Sequence, residues 1–268
     1  DGSEIFYTLQ SPQGDFQTIL YLKKDSKGKW SKPEIAPFAG KYSDLEPAFT
    51  PDGNKLFFAS NRPLTGQTTK DFDIWCVEKK DNKWGEPINL GEPVNTSTDE
   101  FYPSITLSGN LYFTAAYKNA VGKEDIYLAV FEKGKYNTPV PLDSAVNSAT
   151  YEFNAFVSPD EQFIIFTSYG RTDDKGRGDL YMSTKDSGGK WQPAKNLALL
   201  NSDKMDYCPF VSFDKKKLFF TSERHALKGS YPDQRATFDE LVANYSGSLN
   251  GGGNIYWISF DEAIKSLN

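Results

Sequence analysis

Short apolar or alternating runs, each bounded by turn residues, follow one another along the whole chain. Their period of two, without a helical period of 3.6, predicts β-strands rather than helices. The clearest run is an apolar triplet after a turn, as in "TPDGNKLFFASNR" at 50–62 and "SPDEQFIIFTSYGR" at 158–171. The triplet occurs five times, and its copies lie 51 to 55 residues apart. The last aromatic residue of each copy is Tyr7, Phe58, Phe113, Phe166 or Phe220.

Each triplet belongs to a longer phrase with four landmarks in a fixed order. The first opens with an acid three residues before Pro or Ala, as in "DLEPAFT" and "EFYPSIT". The apolar triplet is the second landmark, and the third begins with Asp or Asn, as in "DIWCV" and "NIYWI". The fourth follows a tight turn and carries Trp or Tyr, as in "NKWGEP". Four antiparallel strands in a repeat of this length are typical of a β-propeller blade.

The repeat predicts an all-β fold, a five-bladed β-propeller of four-stranded antiparallel sheets, with residues 1–268 in one domain. Blade 1 begins at its second strand, so six blades are the alternative if upstream sequence has been removed. Blade 5 shows no clear outer strand, because its final "DEAIKSLN" is typical of a helix or a frayed tail. The predicted repeats are about 1–43, 44–99, 100–151, 152–205 and 206–268.

The fifth repeat contains an insertion at residues 225–250. Phe220 and Tyr256 are 36 residues apart, and blades 2 to 4 use 14 to 17 residues for the same step. Within the insertion, Thr237 and Glu240 form a capping box, which predicts a short helix up to about Tyr245. Long loops on rigid scaffolds often carry function.

Composition supports strands and limits the function classes. Aromatic residues make up 15% of the chain, which suits pleated, half-buried surfaces. The formal net charge is -6, so the basic surplus of a nucleic-acid-binding domain is missing. No apolar run reaches the ~20 residues that a membrane-spanning helix needs. Cys76 and Cys208 lie on strands of different blades, which predicts two free thiols.

The turn-and-strand phrases carry a resemblance to a known repeat family. "TPDGNKLFFASNR" followed by "DIW", and "SPDEQFIIFTSYGR" followed by "GRGDLYMS", resemble the WD40-like Pro-Asp-Gly β-propeller repeat. That family includes the propeller of the periplasmic protein TolB. The resemblance covers essentially the whole chain and departs at "LSG" from Leu107 and "FDK" from Phe213. It implies a periplasmic or cell-surface protein after export, but a repeat that builds the fold says little about function.

Charged residues are predicted to ring one mouth of the propeller. In an up-and-down blade, the entry to the first strand and the loop between strands two and three lie on the same face. Two interpretations remain open: ion pairs within a blade that stiffen its loops, or a polar site that grips a ligand. The insertion reaches the same face with His225, Tyr231, Phe238 and Tyr245. The ring contains Asp44, Glu100, Glu152 and Asp206 with Arg62, Lys118, Arg171 and Arg224.

We therefore predict a monomeric, non-enzymatic recognition module that binds a protein or glycan at this mouth. The alternative is a glycoside hydrolase-like propeller whose paired carboxylates project into the central funnel. Equivalent positions in successive repeats suit a shared structural role better than distinct catalytic ones. One histidine and two separated cysteines do not supply a usual zinc site, so we expect no metal, cofactor or catalytic residue.

Overall fold

The computed structural model describes residues 2–232 and 234–267, and it confirms the predicted five-bladed β-propeller. Blade 1 contains β1 (Glu4–Gln10), β2 (Gln17–Lys23) and β3 (Glu34–Ile35). Blade 2 contains β4 (Asp44–Phe49), β5 (Lys55–Ser60), β6 (Asp73–Lys80), β7 (Lys83–Trp84) and β8 (Ile88–Asn89). Blade 3 contains β9 (Glu100–Ile105), β10 (Leu111–Ala115), β11 (Asp125–Ala129), β12 (Phe131–Glu132), β13 (Lys135–Tyr136) and β14 (Val140–Pro141). Blade 4 contains β15 (Tyr151–Val157), β16 (Phe163–Tyr169), β17 (Asp179–Thr184) and β18 (Lys195–Asn196), and blade 5 contains β19 (Asp206–Val211), β20 (Lys217–Ser222) and β21 (Asn254–Ser259).

The three long strands of blades 2 to 5 pair in chain order, and every pairing between strands is antiparallel. In blade 3, β11 pairs with β14, and β12 and β13 form a separate two-stranded sheet. The outermost strands are only two residues long, and those of blades 1 to 3 follow Pro33, Pro87 and Pro139. Proline is tolerated at such an edge because no ladder hydrogen bond is lost there. Among the described residues, blade 1 begins at its second strand, as predicted, and has three strands.

The residues after β21 in blade 5 are helical, one of the two forms that their sequence predicted. It folds as α2 (Phe260–Ala263) and a 3-10 helix (Ile264–Leu267). Phe260 and Ala263 are buried in the apolar cluster between blades 4 and 5. Among the described residues, blade 5 therefore consists of three strands and a helical segment that packs on its apolar cluster.

The core consists of apolar clusters between successive blades. Phe58 and Trp75 of blade 2, for example, are buried together with Ile19 of blade 1. Equivalent clusters join blades 2 and 3, blades 3 and 4, and blades 4 and 5. The aromatic residues of the strands thus stabilise the ring by packing one sheet against the next. Burial of apolar surface is the main favourable term in folding.

The insertion contains the predicted helix, α1 (Phe238–Ser246). The Thr237 hydroxyl oxygen accepts a hydrogen bond from the Glu240 backbone N–H at 3.2 Å, which confirms the helix start. No residue of α1 is buried. Among the described residues, neither helix is long and apolar enough to cross a lipid bilayer.

Candidate functional site

The four acids of the predicted ring lie at the start of the first strands of blades 2 to 5, as the first or second strand residue, and are completely buried. In blade 2, Asp44 Oδ1 accepts hydrogen bonds from Arg62 Nη2 at 2.5 Å and from the Ser60 hydroxyl at 2.6 Å. The Arg62 guanidinium lies over the rings of Phe58 and Trp75. We call this serine–acid–arginine arrangement the blade staple.

The blade staple repeats in blades 4 and 5. Glu152 pairs with Arg171 at 3.0 Å, and Asp206 pairs with Arg224 at 2.8 Å. Each arginine of the three staples also donates to a carbonyl in the segment that enters its blade: Phe38, Val146 or Leu200. The staple therefore ties the first strand, the second strand and the entry segment of one blade together.

Blade 3 has no such arginine. Glu100 instead accepts hydrogen bonds from the Tyr117 hydroxyl at 2.8 Å and from the Thr96 hydroxyl at 2.8 Å. Burial without a cation raises the pKa of Glu100 to about 7, although these hydrogen bonds lower it. Lys118, the predicted partner, has an exposed side chain.

In blades 2, 4 and 5 these contacts match the first interpretation of the charged ring, ion pairs within a blade. The acid oxygens face their own blade, and the arginines stack on aromatic residues of that blade. Ligand recognition by the ring residues remains a prediction.

A second group of polar residues lies on the axis of the propeller. Each of these residues stands two positions after the ring acid of its blade. Each of the four first strands contains a β-bulge, and its bulge residue has a left-handed backbone with φ between 50° and 59°. Non-glycine residues in this region are strained and often mark functional sites. The four residues are Glu46, Tyr102, Asn154 and Cys208, and we call them the channel cluster.

Hydrogen bonds between non-adjacent blades show that the channel cluster crosses the axis. Glu46 Oε1 accepts from Asn154 Nδ2, two blades away, at 3.1 Å. Glu46 Oε2 accepts from the Tyr102 backbone N–H at 2.7 Å. The Tyr102 hydroxyl donates to the Pro209 carbonyl of blade 5 at 2.8 Å. At this level the central channel is therefore so narrow that side chains of non-adjacent blades contact each other across it.

Glu46 is a protonatable group at the centre of this cluster. Burial raises its pKa to about 7, and the nearby Glu124 charge raises it further, while the hydrogen bonds from Tyr102 and Asn154 oppose the rise. Burial also raises the pKa of Glu124 to about 7. Among residues 2–232 and 234–267, no lysine, arginine or histidine forms an ion pair with Glu46. A ligand that brings a hydrogen-bond donor or a positive charge would find an acceptor here.

The sequence interpretation missed the channel cluster. Its members differ in type, so the repeat does not single them out as a set. One signal was present: the third residue of each acid-x-x-Pro/Ala phrase is polar or Cys within an otherwise apolar strand. Only the bulge and the ring closure bring these four positions to one axis.

Two large side chains of the insertion are exposed to solvent on the face predicted to carry the ring acids. Phe238 is 80% exposed and Tyr245 is 61% exposed, and both lie on the outer side of α1. Val242 lies between them along the helix and is also exposed. Tyr231 is half-buried, and its hydroxyl accepts a hydrogen bond from Asn244 at 3.3 Å, whereas His225 is exposed.

Both cysteines are free, as predicted. Burial raises the pKa of the Cys76 thiol to about 11. Burial, with the Glu46 charge, raises the pKa of Cys208 well above its usual range. Because the thiolate is the reactive form, neither group is suited to nucleophilic chemistry at neutral pH.

We expect native protein to react with a thiol-specific disulfide reagent at least ~10-fold more slowly at pH 8 than a free cysteine. In denaturant, two thiols per chain should react rapidly, and one should react in a Cys208→Ala variant. The measurement is release of the coloured thiolate over time. Rapid reaction of the native protein would contradict the arrangement of the channel cluster.

Comparison with known proteins supports the fold. No protein-family model matches the chain, and no curated protein matches its sequence. Among solved structures, TolB from Acinetobacter baumannii is similar, with a TM-score of 0.52, 21% identity, and coverage of 85% of this chain and 48% of that one. The chain thus spans about half the length of that TolB chain. It is a β-propeller.

Solved structures of proteins with different functions are equally similar to this chain. An α-L-arabinofuranosidase from Lactobacillus brevis has a TM-score of 0.54 and 14% identity, covering 96% of this chain and 86% of that one. A propeller in a nidogen/laminin complex has a TM-score of 0.52 and 12% identity, covering 82% and 70%. Likeness at these identities establishes the fold, while function must be argued from the site.

Proposed function

We propose that this propeller is a non-enzymatic recognition module. Its ligand, a protein or a glycan, docks on the face that carries the insertion, and part of it reaches the channel cluster. The main support is the exposed apolar side of α1, where Phe238 is 80% exposed and Tyr245 is 61% exposed. Aromatic residues of this kind serve as anchors in recognition sites.

The charge distribution at the axis agrees with this proposal. The channel cluster offers a carboxyl, an amide and a phenol around one opening, and no cation of the described residues neutralises Glu46. A ligand segment in an extended conformation, with a hydrogen-bond donor at its end, would form a further hydrogen bond with the Glu46 carboxyl. The exposed aromatic side of α1 favours a protein over a glycan as the larger part of the ligand.

We further propose a periplasmic or cell-surface location and a monomeric state. The support for the location is the resemblance of the repeats to those of TolB-type propellers and the structural similarity to TolB.

The alternative function, a glycoside hydrolase-like propeller, has one specific observation in its favour. Glu46 of the channel cluster and Glu124, whose charge acts on Glu46, both have a pKa raised to about 7, as a general acid requires. The ring acids Asp44, Glu100, Glu152 and Asp206 are completely buried, so in this alternative the channel carboxyls would carry the chemistry.

The proposal predicts that Phe238→Ala and Tyr245→Ala each weaken ligand binding by about 10-fold or more, which corresponds to about 1.4 kcal/mol. The ligand is first sought on a glycan array and by affinity capture from a cell-envelope extract. It is then titrated against wild-type protein and both variants. The matched control is Leu107→Ala, an exposed apolar residue in the turn between β9 and β10 on the opposite face.

Equal binding by wild type and both α1 variants would show that the insertion is not part of the binding site. Hydrolysis of any arrayed glycan, lost in Glu46→Gln, would establish the alternative function instead.

A further inference from the structure

Blade 3 departs from the blade staple at two equivalent positions. In blades 2, 4 and 5, the strand residue paired with the ring acid is a serine: Ser60, Ser168 or Ser222. In blade 3 this residue is Ala115, which pairs with Glu100 and offers no hydroxyl. Tyr117 stands two positions further on, where blades 2 and 5 have the staple arginine. Glu100 therefore lacks both the arginine and the serine of the other staples.

Tyr117 occupies the place of the missing arginine. Its ring packs on Tyr127 with a centroid distance of 4.7 Å, and the staple arginines stack on the equivalent aromatic residues of their blades. Its hydroxyl lies 2.7 Å from the carbonyl oxygen of Val94, the equivalent of the carbonyl that each staple arginine bonds. The same hydroxyl lies 2.8 Å from Glu100 Oε1.

The Tyr117 hydroxyl has a single hydrogen for these two oxygens. An arginine has several N–H donors and can bond the carbonyl and the acid together, whereas a phenol donates to only one of them at a time. The Val94 carbonyl has no hydrogen of its own. Both contacts are therefore hydrogen bonds only when Glu100 carries a proton and donates it to the phenol oxygen.

The surroundings of Glu100 favour this proton. Its side chain is completely buried, and Oε2 has no hydrogen-bond partner among the described residues. Burial, followed by the negative charge of Asp73 in blade 2, raises the pKa of Glu100 to about 7, while hydrogen bonds from neighbouring hydroxyls lower it. Asp73 is itself paired with Lys70. Within blade 3, β11 adds the titratable groups of Asp125 and Tyr127. Among residues 2–232 and 234–267, no basic side chain forms an ion pair with Glu100.

We propose that the contact between Glu100 and Tyr117 is a pH-dependent latch. The protonated latch joins the entry segment of blade 3 (residues 90–99) to the loop between β10 and β11 (residues 116–124), and the ionised latch releases them. In the ionised form Tyr117 donates to Glu100, so the carbonyl of the buried Val94 loses its donor. The buried charge then has no cation beside it, which favours local opening toward water.

The latch is closed in acid and opens above neutral pH. Because the folded state raises the pKa of Glu100 from 4.5 to about 7, the stabilisation is fully present below about pH 4.5 and is lost as the pH rises through 7. Glu46 and Glu124 have a pKa raised to the same range, so global stability does not isolate Glu100. Local protection of the two joined segments does.

Amide hydrogen exchange at one reporter in each segment tests the latch. Asn95 N–H donates to the Gly91 carbonyl in the entry segment, and Ala120 N–H donates to the Tyr117 carbonyl in the loop. Protection is the exchange rate of an unstructured chain divided by the observed rate at the same pH. Between pH 5 and pH 8, the protection of both amides should fall by at least ~10-fold in the wild-type protein.

Three variants separate Glu100 from its neighbours. Glu100→Gln carries an acceptor and an N–H donor, as the protonated carboxyl does, so it should keep at pH 8 the protection that wild type shows at pH 5. Tyr117→Arg restores the staple cation and stabilises the ionised acid, so the fall in protection should disappear. Glu124→Gln is the control, because Glu124 lies in the same loop with a pKa raised to about 7. It should leave the fall in place.

A direct readout is the NMR signal of the Glu100 carboxyl carbon, which should titrate near pH 7 in wild type and at lower pH in Tyr117→Arg. Neither measurement needs a ligand, so the outcome is independent of the recognition function. Three results would overturn the proposal: protection that does not change between pH 5 and pH 8, a wild-type change that persists in Glu100→Gln, or a change that Glu124→Gln removes.

Discussion

Arg62→Ala should lower the free energy of unfolding by about 3 kcal/mol, near the lower end of the range for breaking a buried ion pair. Arg62 is the cation of the most buried blade staple, and its removal leaves Asp44 completely buried without a cation. The cost is limited because burial raises the pKa of Asp44 despite Arg62, so the carboxyl can take up a proton once the arginine is gone. Stacking on Phe58 and Trp75 is lost as well.

The three staples should show a graded effect in urea denaturation. The exposed fraction of the arginine side chain rises from 10% for Arg62 to 17% for Arg171 and 29% for Arg224. Solvent screening increases in the same order, so the cost of substitution by Ala should fall in that order.

Two controls accompany this series. Lys55→Ala removes an exposed ion pair with Glu78 and should cost no more than about 1 kcal/mol. Arg62→Lys keeps the charge but loses the fork that bonds both Asp44 and the Phe38 carbonyl, so its effect should be intermediate. A loss for Arg62→Ala no larger than that for Lys55→Ala would show that the staple does not stabilise the blade.

Glu46→Gln should make the protein more stable above neutral pH and leave its stability almost unchanged near pH 4. The folded state raises the pKa of Glu46 from 4.5 to about 7, so it binds this proton more tightly than the unfolded state does. The resulting stabilisation is fully present below pH ~4.5 and is lost as the pH rises through 7. A shift of this size corresponds to about 3 kcal/mol at most. Glutamine is neutral throughout, and its one carbonyl oxygen, like that of the protonated carboxyl, can accept from Tyr102 N–H or from Asn154 Nδ2, which bond different oxygens of Glu46.

Urea denaturation of both proteins at pH 4, 6 and 8 measures this difference. Glu161→Gln is the matched control with the opposite sign, because hydrogen bonds and Lys185 lower the pKa of Glu161. Its stabilisation is present above the unfolded pKa and disappears in acid, so the variant should be less stable than wild type at pH 8. A stability difference for Glu46→Gln that does not change with pH would contradict the raised pKa of the channel carboxyl.

Much of the fold was predictable from local pattern. The spacing of the apolar triplets predicted five blades, and the capping box predicted the start of α1 at Thr237. Two further predictions agree with the described residues: the segment after Ser259 is helical, and blade 1 begins at its second strand. These features depend on side-chain periodicity and turn residues that lie within a few positions of one another.

The candidate site was predictable only in part. The sequence placed the acids and arginines on one face, but it did not decide between a ligand site and ion pairs within a blade. The tertiary structure shows where the contacts of these acids lie. Asp44, for example, is buried and makes its contacts inside its own blade, because Arg62 and Ser60 lie within 2.6 Å of it.

The sequence by itself therefore determined the repeat, the strands and the blade order, because each depends on contacts between residues close in the chain. Only the tertiary structure decided what the polar residues do. The channel cluster joins Glu46, Tyr102, Asn154 and Cys208, which occupy equivalent positions of four repeats, and only the packing of the blades into a ring brings these side chains together. The raised pKa of Glu46 has the same origin, since it depends on burial at an axis that exists only once the blades have packed around it.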